Sequence, residues 1–449
     1  MKCDGYAPPQ PRKPRRRPPP KAKPVNNAIV PLCSSITDIP YLTNQEGQYF
    51  KHFFQFTSTQ LSLSAESTNF WLQYALPMGH QFKSIRYSII AVGTSHRLFM
   101  AQSLGHSNVD ELKNLATYQY NKAIASIIPT MAAASTKELH IIMICCLLFV
   151  SFEGLTGRYD ELLRHLSAGI ELFHHPLPSS TIEERKMTAR LAEMFCRLGV
   201  ESSNFMTADP SISGMRHWYQ KNANLMAGPS IPFKTLDEAS AALRELDVLY
   251  ELKPWFVDES NDDDRVRPVA AGNKSLQDGL NAWTERFNLF NKLGEDGLSA
   301  KEEQRYHNLC VRQKYWQMAI HAFASPEAAA DHKTFDPFLR AAREAAVCFI
   351  AIGQPTYSLD GDLISGLAFV ASTTKDAQTK VQALDLLWRL NRREGLLDSR
   401  DIVEMHELAR ALETCTQKFD VHDTWKPRAA AGIPTIIERL RKSLGLLSL

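Results

Sequence analysis

From Gln45 onward the apolar residues recur every three or four positions, the spacing that keeps them on one face of a helix. Phe53, Phe54 and Phe56 with Leu61 predict a first helix. Thr68, Phe70, Trp71, Tyr74 and Leu76 predict a second that stops at Pro77, where the ring removes a backbone donor. Ile85, Ile89, Val92 and Leu98 predict a third, and Leu112, Leu115, Tyr118, Ala123 and Ile127 a fourth that ends at Pro129. Leu139 to Phe152 is apolar on every side, as a central helix with neighbours all round would be. Its unbroken run, Ile141 to Val150, has half of the roughly twenty residues a bilayer span needs, so it reads as core rather than anchor and no membrane contact is expected. Tyr159 to Phe173 follows a turn at Gly154 and Gly157, which predicts an αα-hairpin.

Further helices are expected near 181–206, 234–253, 275–297, 300–324, 335–352, 361–372, 375–391, 399–415 and 433–446. Period-two alternation rich in Val, Ile and Thr is nearly absent. The predicted fold is therefore all-α, a large irregular bundle or solenoid of helical hairpins without a fixed-period repeat. Two stretches interrupt the pattern and are expected to be mobile inserts: 204–232, and 258–274 with its acidic run Glu259, Asp262, Asp263 and Asp264.

Residues 1–45 differ in kind. Pro8, Pro9, Pro11, Pro14, Pro18, Pro19, Pro20 and Pro24 sit among like charges, and the first aromatic after Tyr6 is Tyr41. Such a segment cannot bury enough apolar surface to offset its ordering entropy, so a basic, Pro-rich disordered arm is expected ahead of a helical body spanning 46–449. Charge sharpens the division. The chain is nearly neutral, with 51 basic and 49 acidic residues, but residues 1–24 hold eight Lys/Arg against Asp4 alone, net +7, leaving 43 basic and 48 acidic residues elsewhere.

With 44% hydrophobic residues the 449-residue chain can bury a sizeable core. Cys145, Cys146, Cys196 and Cys348 fall inside apolar helical patterns, which suits inert core thiols in a reducing compartment better than a disulfide framework. The basic start runs into proline rather than an apolar stretch, so no secretory leader is expected.

Catalytic chemistry is thin. The sequence has no dinucleotide or phosphate-cradling glycine loop, no nucleophile elbow and no H-E-x-x-H, so no catalytic residue can be named and no enzyme is expected. His165, His174 and His175 lie too far apart along one helix to share an ion, and the last two suit the negative end of a helix before Pro176. The arm is sharper. In PRKPRRRPPPKAKP, the side chains of Arg12, Lys13, Arg15, Arg16, Arg17, Lys21 and Lys23 can bind phosphate backbones by counterion release or be read by nuclear import receptors. The plainer reading is a solvated charged linker. No aromatic interleaves these charges, so stacking on single strands is not indicated.

Three segments carry a family resemblance. Lys2-Cys3-Asp4-Gly5-Tyr6 and the basic stretch after it resemble the last cysteine and linker of the fungal binuclear zinc cluster, a six-cysteine DNA-binding module. Phe70-Trp71 through Leu76-Pro77, IRYSIIAVGTSHR at 85–97 and LLFVSFEGLTGRYDELLRHLSAGIE at 147–171 are similar to the helical regulatory region of fungal zinc-cluster transcription factors. RLNRREGLLDS at 389–399 resembles the R-R-E-G-x-x-D-S element of the same subfamily.

The resemblance implies a nuclear transcription regulator whose helical region governs activity and whose partners are the transcription machinery or other regulators. It also marks a departure. Two bridged zincs need six thiolates, whereas here Cys3 stands as a remnant ligand with Cys33 thirty residues beyond it, so zinc is expected only if further cysteines lie upstream. This chain is therefore expected to hold no cofactor and to contact nucleic acid weakly and without sequence preference, through the arm. The alternative is a helical interaction or scaffold protein without DNA contact. Residues Arg392, Arg393, Glu394, Gly395, Asp398 and Ser399 read as structural: Gly395 ending a helix in the left-handed conformation, the two arginines at its negative end, and Asp398 or Ser399 capping the next. Oligomeric state has no signal in the sequence.

Overall fold

Thr43 opens the first helix: its hydroxyl accepts from the Glu46 amide, and the Glu46 carboxylate accepts from the Thr43 amide at 3.1 Å, a reciprocal capping box. The computed structural model describes residues 42–61, 70–105, 108–132, 136–174, 181–202, 231–251, 266–293, 299–322, 326–359, 361–416, 437–438 and 440–442. Residues 1–41 of the arm, Cys3 among them, and nearly all of the expected insert at 204–232 lie outside them, whereas Thr43, Asn44 and Gln45, expected in the arm, cap and begin the first helix.

Helix α1 (Asn44–His52) runs on through a π turn, Phe53–Thr57, into Ser58–Gln60, so it begins well ahead of the Phe53 pattern. A second π turn, Trp71–Ala75, leads into α2 (Leu76–Gln81). The expected stop at Pro77 is corrected here. Leu76 N donates to Trp71 O across the π turn, which puts Pro77 in the first turn of a fresh α segment, where a missing N–H does no harm. Pro129 does not end its helix either. It lies in the last turn of α4 (Val109–Ala132), on an exposed face where water can reach the carbonyl of exposed Ala125 that the proline leaves without an amide.

Helix α3 (Lys83–Leu104) packs along α4 and across α5 (Thr136–Thr156), and α6 (Tyr159–Glu171) and α7 (Ile182–Ser202) complete the first layer. Every residue from Ile141 to Val150 is buried, and the core gathers round them from α1 to α7, with Phe53, Trp71, Phe195 and Leu166 at or near zero exposure. By length and composition Glu138–Thr156 could cross a bilayer, but 89% of its most apolar window is buried inside the protein, which is what a core helix requires.

The rest of the body forms two further clusters. Helices α8 (Leu236–Glu251), α9 (Val266–Leu293) and α10 (Ala300–Ala322) close on Trp283, Phe287 and Trp316. Because α9 already starts at Val266, the second half of the expected insert at 258–274 is helical. Helices α11 (Asp336–Ile352), α12 (Leu363–Thr373), α13 (Ala377–Leu390) and α14 (Ser399–Thr416) enclose Phe335, Phe338 and Leu367, joined by Ile437 and Leu440. The fold is all-α, with one small sheet that the sequence pattern did not suggest. Strand β1 (Thr356–Ser358) pairs in parallel with β2 (Arg392–Glu394), which pairs antiparallel with β3 (Leu397–Asp398).

One polar knot inside the first layer has a solution consequence. His96 of α3 is fully buried; its Nε2 donates to Gln60 Oε1 (3.2 Å), which leaves Nδ1 to accept from Thr57 Oγ1 (3.0 Å) and His52 Nε2 (3.1 Å). Burial and the neighbouring His52 and Arg97 charges push its pKa down to about 3. Burial and Arg97 hold His52 at about 4, and buried His406 in α14 is also lowered, to about 4, by desolvation and Lys380. An unfolded imidazole takes a proton below about pH 6.5, whereas these stay neutral until about two units or more lower. Stability is therefore full above pH 6.5 and is lost as pH falls, by about 2 kcal/mol each for His96 and His406 at pH 5. Urea midpoints at pH 7.5 and pH 5 check this. His96→Gln should flatten part of the difference, and an unchanged pH dependence would count against the neutral buried pair.

Candidate functional site

The sheet is where the R-R-E-G-x-x-D-S stretch sits, and each of its residues is placed by a short-range reason. Helix α13 ends on Asn391 in the left-handed conformation (φ 44°), so Asn391, not Gly395, terminates that helix. Gly395 has φ 52° but lies in the tight turn between β2 and β3, its amide donating to Ser358 O at 2.9 Å. The two arginines consequently lie on a strand rather than at a helix end, and alternation sends them to opposite faces.

Arg392 points into the C-terminal cluster. Its side chain is 2% exposed and pairs at 2.7 Å with Glu394 Oε1, itself 1% exposed; Nη1 donates to Thr356 Oγ1 (3.2 Å), and the guanidinium stacks 4.1 Å from the Phe349 ring centre. The second Glu394 oxygen accepts from Ile364 N (3.0 Å) in the first turn of α12, where a negative charge also meets the positive end of the helix. Space here is set by Gly361: a Cβ at that position would lie 2.0 Å from the Glu394 carboxyl carbon.

Arg393 points the other way, into the N-terminal layer. Its Nε donates to Asp398 Oδ2 (3.0 Å), and Nη1 donates to Gly154 O (2.9 Å) and Leu155 O (3.3 Å) at the C-terminal end of α5, where carbonyls lack helical partners and favour a cation. Asp398 uses its other oxygen to accept from Arg400 N (2.9 Å) at the start of α14, and Ser399 Oγ accepts from Arg392 N (3.0 Å). Burial, with Asp398 nearby, pushes the Asp401 carboxyl up to about 6.

The remaining contacts complete a clasp between the two halves of the body. Leu359 N donates to Leu61 O (3.1 Å) and Tyr357 N to Gln60 Oε1 (3.4 Å), while the Tyr357 ring enters the first core. Gly154 makes that entry possible, since a Cβ there would stand 2.2 Å from the Tyr357 hydroxyl. Sequence reasoning missed Thr356, Tyr357 and Gly361, because a three-residue strand has no period to read, and it took Gly154 for a turn glycine alone.

Chemically, the clasp is a set of paired charges, in which Arg392 Nη2 is buried and finds no hydrogen-bond partner among the described residues, and it presents no nucleophile beside a base. Among the described residues no group of three or more His, Cys, Asp or Glu side chains could hold a metal ion. Burial pushes Cys145, Cys146 and Cys196 up to about 12, so they stay thiols rather than metal-binding or reactive thiolates. His165 pairs with the fully buried Glu153 carboxylate at 3.0 Å, and His175 lies outside the described residues. Arg12, Lys13, Arg15, Arg16, Arg17, Lys21, Lys23 and Cys3 are all outside the described residues.

Comparison with known proteins adds two findings. Residues 48–237 match the fungal specific transcription factor domain, which runs from within α1 through α7 to the first two residues of α8 and stops short of the clasp strands. Over 315 residues the chain is 25% identical to the aspercryptin biosynthesis cluster-specific transcription regulator atnN of Emericella nidulans, covering 64% of this chain. The chain spans about half, 49%, of that relative's length. No solved structure matches.

Proposed function

Because this chain is related to fungal transcription regulators and carries their specific transcription factor domain over residues 48–237, we propose that it is a non-enzymatic regulator of transcription acting in the nucleus through its helical body. The observation that carries the reading is the coincidence of the matched residues with the first core layer. What is shared is the buried framework of a regulatory region rather than a surface loop. The basic arm would supply nuclear entry and a weak, sequence-indifferent hold on nucleic acid, and the clasp would keep the matched layer and the C-terminal helices in one geometry. Its partners would be components of the transcription machinery or other regulators.

The test is to tether the full chain to a heterologous DNA-binding domain upstream of a reporter gene. Reporter output should rise or fall by several fold against the DNA-binding domain alone. Unchanged output from a nuclear, folded fusion would overturn the reading in favour of a helical scaffold.

The arm carries two separate expectations. Replacing Arg12, Lys13, Arg15, Arg16 and Arg17 by Ala should leave a fluorescent fusion largely cytoplasmic, and unchanged nuclear accumulation would remove the import role. Any DNA binding by this chain should fall steeply with salt. With a net arm charge of +7 as the ceiling on phosphate contacts, the log–log slope should be no steeper than about −6. A tight, sequence-selective complex at physiological salt would show a base-reading element beyond the arm.

A further inference from the structure

Where α7, α8, α10 and the start of α12 converge, the protein leaves a half-open cavity of about 60 Å³, several times the roughly 10–15 Å³ that a single water needs. Its apolar lining, Leu236, Leu243 and Leu309, belongs to the second cluster, while along the chain Arg197 adjoins Cys196 and Leu198 of the first, and Arg312 and Asp362 adjoin Val311 and Leu363 of the third. Its walls are unusual for an interior. Four guanidinium groups line it, Arg197, Arg244, Arg305 and Arg312, against a single lining carboxylate, Asp362.

Two of these arginines are almost fully withdrawn from water, with 7% of the Arg244 side chain and 10% of Arg312 exposed. Arg312 Nη1 donates to Asp362 Oδ1 at 2.6 Å, Arg244 pairs with Glu193, and Arg305 pairs with Asp237. Burial alone would raise the Glu193 carboxyl, yet Arg244, Arg190 and Arg197 together hold it below its ordinary value, a sign of how positive this corner is.

A neutral group adds an independent observation. Asn308 lines the same cavity; its Oδ1 accepts from Gln304 Nε2 (3.0 Å), while its Nδ2, shielded from solvent, has no hydrogen-bond partner. Among the described residues nothing accepts from it, and a buried donor in that state calls for an acceptor. Arg305 and Asp362 keep 16% and 23% of their side chains exposed, which gives an acceptor a way in.

We propose that this cavity is a binding site for a small oxyanion, a phosphate, sulfate or carboxylate group of about four or five heavy atoms, held by the arginine walls and the Asn308 amide. Planar guanidinium forks match such oxygens in pairs, and a desolvated setting strengthens each contact. Because its walls come from α7, α8, α10 and the residue just before α12, an occupant ties the two halves of the body together at a second place besides the clasp. If the body is the regulatory part argued for above, this is where a small anionic molecule would enter its control. Binding is read without any transcription assay, so either idea can fail alone.

The experiment titrates the full chain with inorganic phosphate, sulfate and acetate, each against chloride at matched ionic strength, by isothermal calorimetry and thermal melting. At least one of them should bind saturably at a single site and raise the melting temperature. Arg305→Gln and, separately, Asn308→Ala should weaken that binding about tenfold or more, while Arg389→Gln, on the surface beside Asp385, should leave it unchanged. Should Arg305→Gln fail to fold, Asn308→Ala decides, since it removes no charge. The proposal is overturned if none of the three anions gives a saturable response up to about 20 mM, where even a millimolar site would be filled, or if both cavity variants bind as the unaltered chain does.

Discussion

Leu148→Asp protein is expected to come out insoluble or to melt without a cooperative transition. Leu148 has no exposed surface and sits mid-way along α5, the helix round which the whole first core is gathered. Shortening a buried leucine to alanine already costs about 2–5 kcal/mol, against a total stability of about 5–15 kcal/mol for a globular domain. Aspartate does worse, because its carboxylate has no partner on that face and must be desolvated or forced to take a proton. Cys145→Ser and Cys146→Ser should be milder. Both thiols are buried, and Ser84 and Ser88 lie within hydrogen-bonding reach of Cys145, so a hydroxyl there has company. Circular-dichroism melts of the three variants check the order, and a soluble, normally melting Leu148→Asp protein would mean that α5 is not the centre of the core.

Glu394→Ala should lower stability by about 3–5 kcal/mol, a loss comparable with a large core truncation. The Arg392 guanidinium is 2% exposed and would be left without its countercharge, and Ile364 N would lose its acceptor at the start of α12. Removing both partners, as Arg392→Met with Glu394→Ala, should recover part of the loss, since an apolar pair strands no charge. Recovery stays incomplete because the Ile364 amide remains unmet. Urea titrations of the single and double variants measure this, and a Glu394→Ala midpoint equal to that of the unaltered chain would show that the pair does not hold the clasp.

How much of this could be read from residues alone depends on how local each cause is. The helix over Leu139 to Phe152 and the hairpin after it were legible because both rest on spacing within one segment. The helix starts at Asn44 and Val266 were not: the capping box of Thr43 and Glu46 starts the first ahead of its apolar stripe, and nothing periodic marks the second. Pro77 and Pro129 misled for a shared reason: proline forbids one hydrogen bond, and each sits where that bond is either not required or open to water. At the clasp, the left-handed glycine and the capping aspartate were visible in R-R-E-G-x-x-D-S. The helix that Gly395 was expected to end had already stopped at Asn391. Nothing local to Arg392 or Arg393 names Thr356, Phe349 or Gly154, because those partners arrive from distant parts of the chain.

The bond from Arg393 to Gly154 O spans 239 residues. At about 5–20 residues per second on the ribosome, roughly 10 to 50 seconds pass between the synthesis of α5 and that of the side chain that closes its end. Through that interval the slot beside Gly154 waits for Tyr357, so the N-terminal layer leaves the ribosome with an apolar notch open. Nascent chains stalled short of β1 are thus the species most exposed to chaperones and to self-association, and the final fifth of the polypeptide acts on the first half as a late-arriving lock.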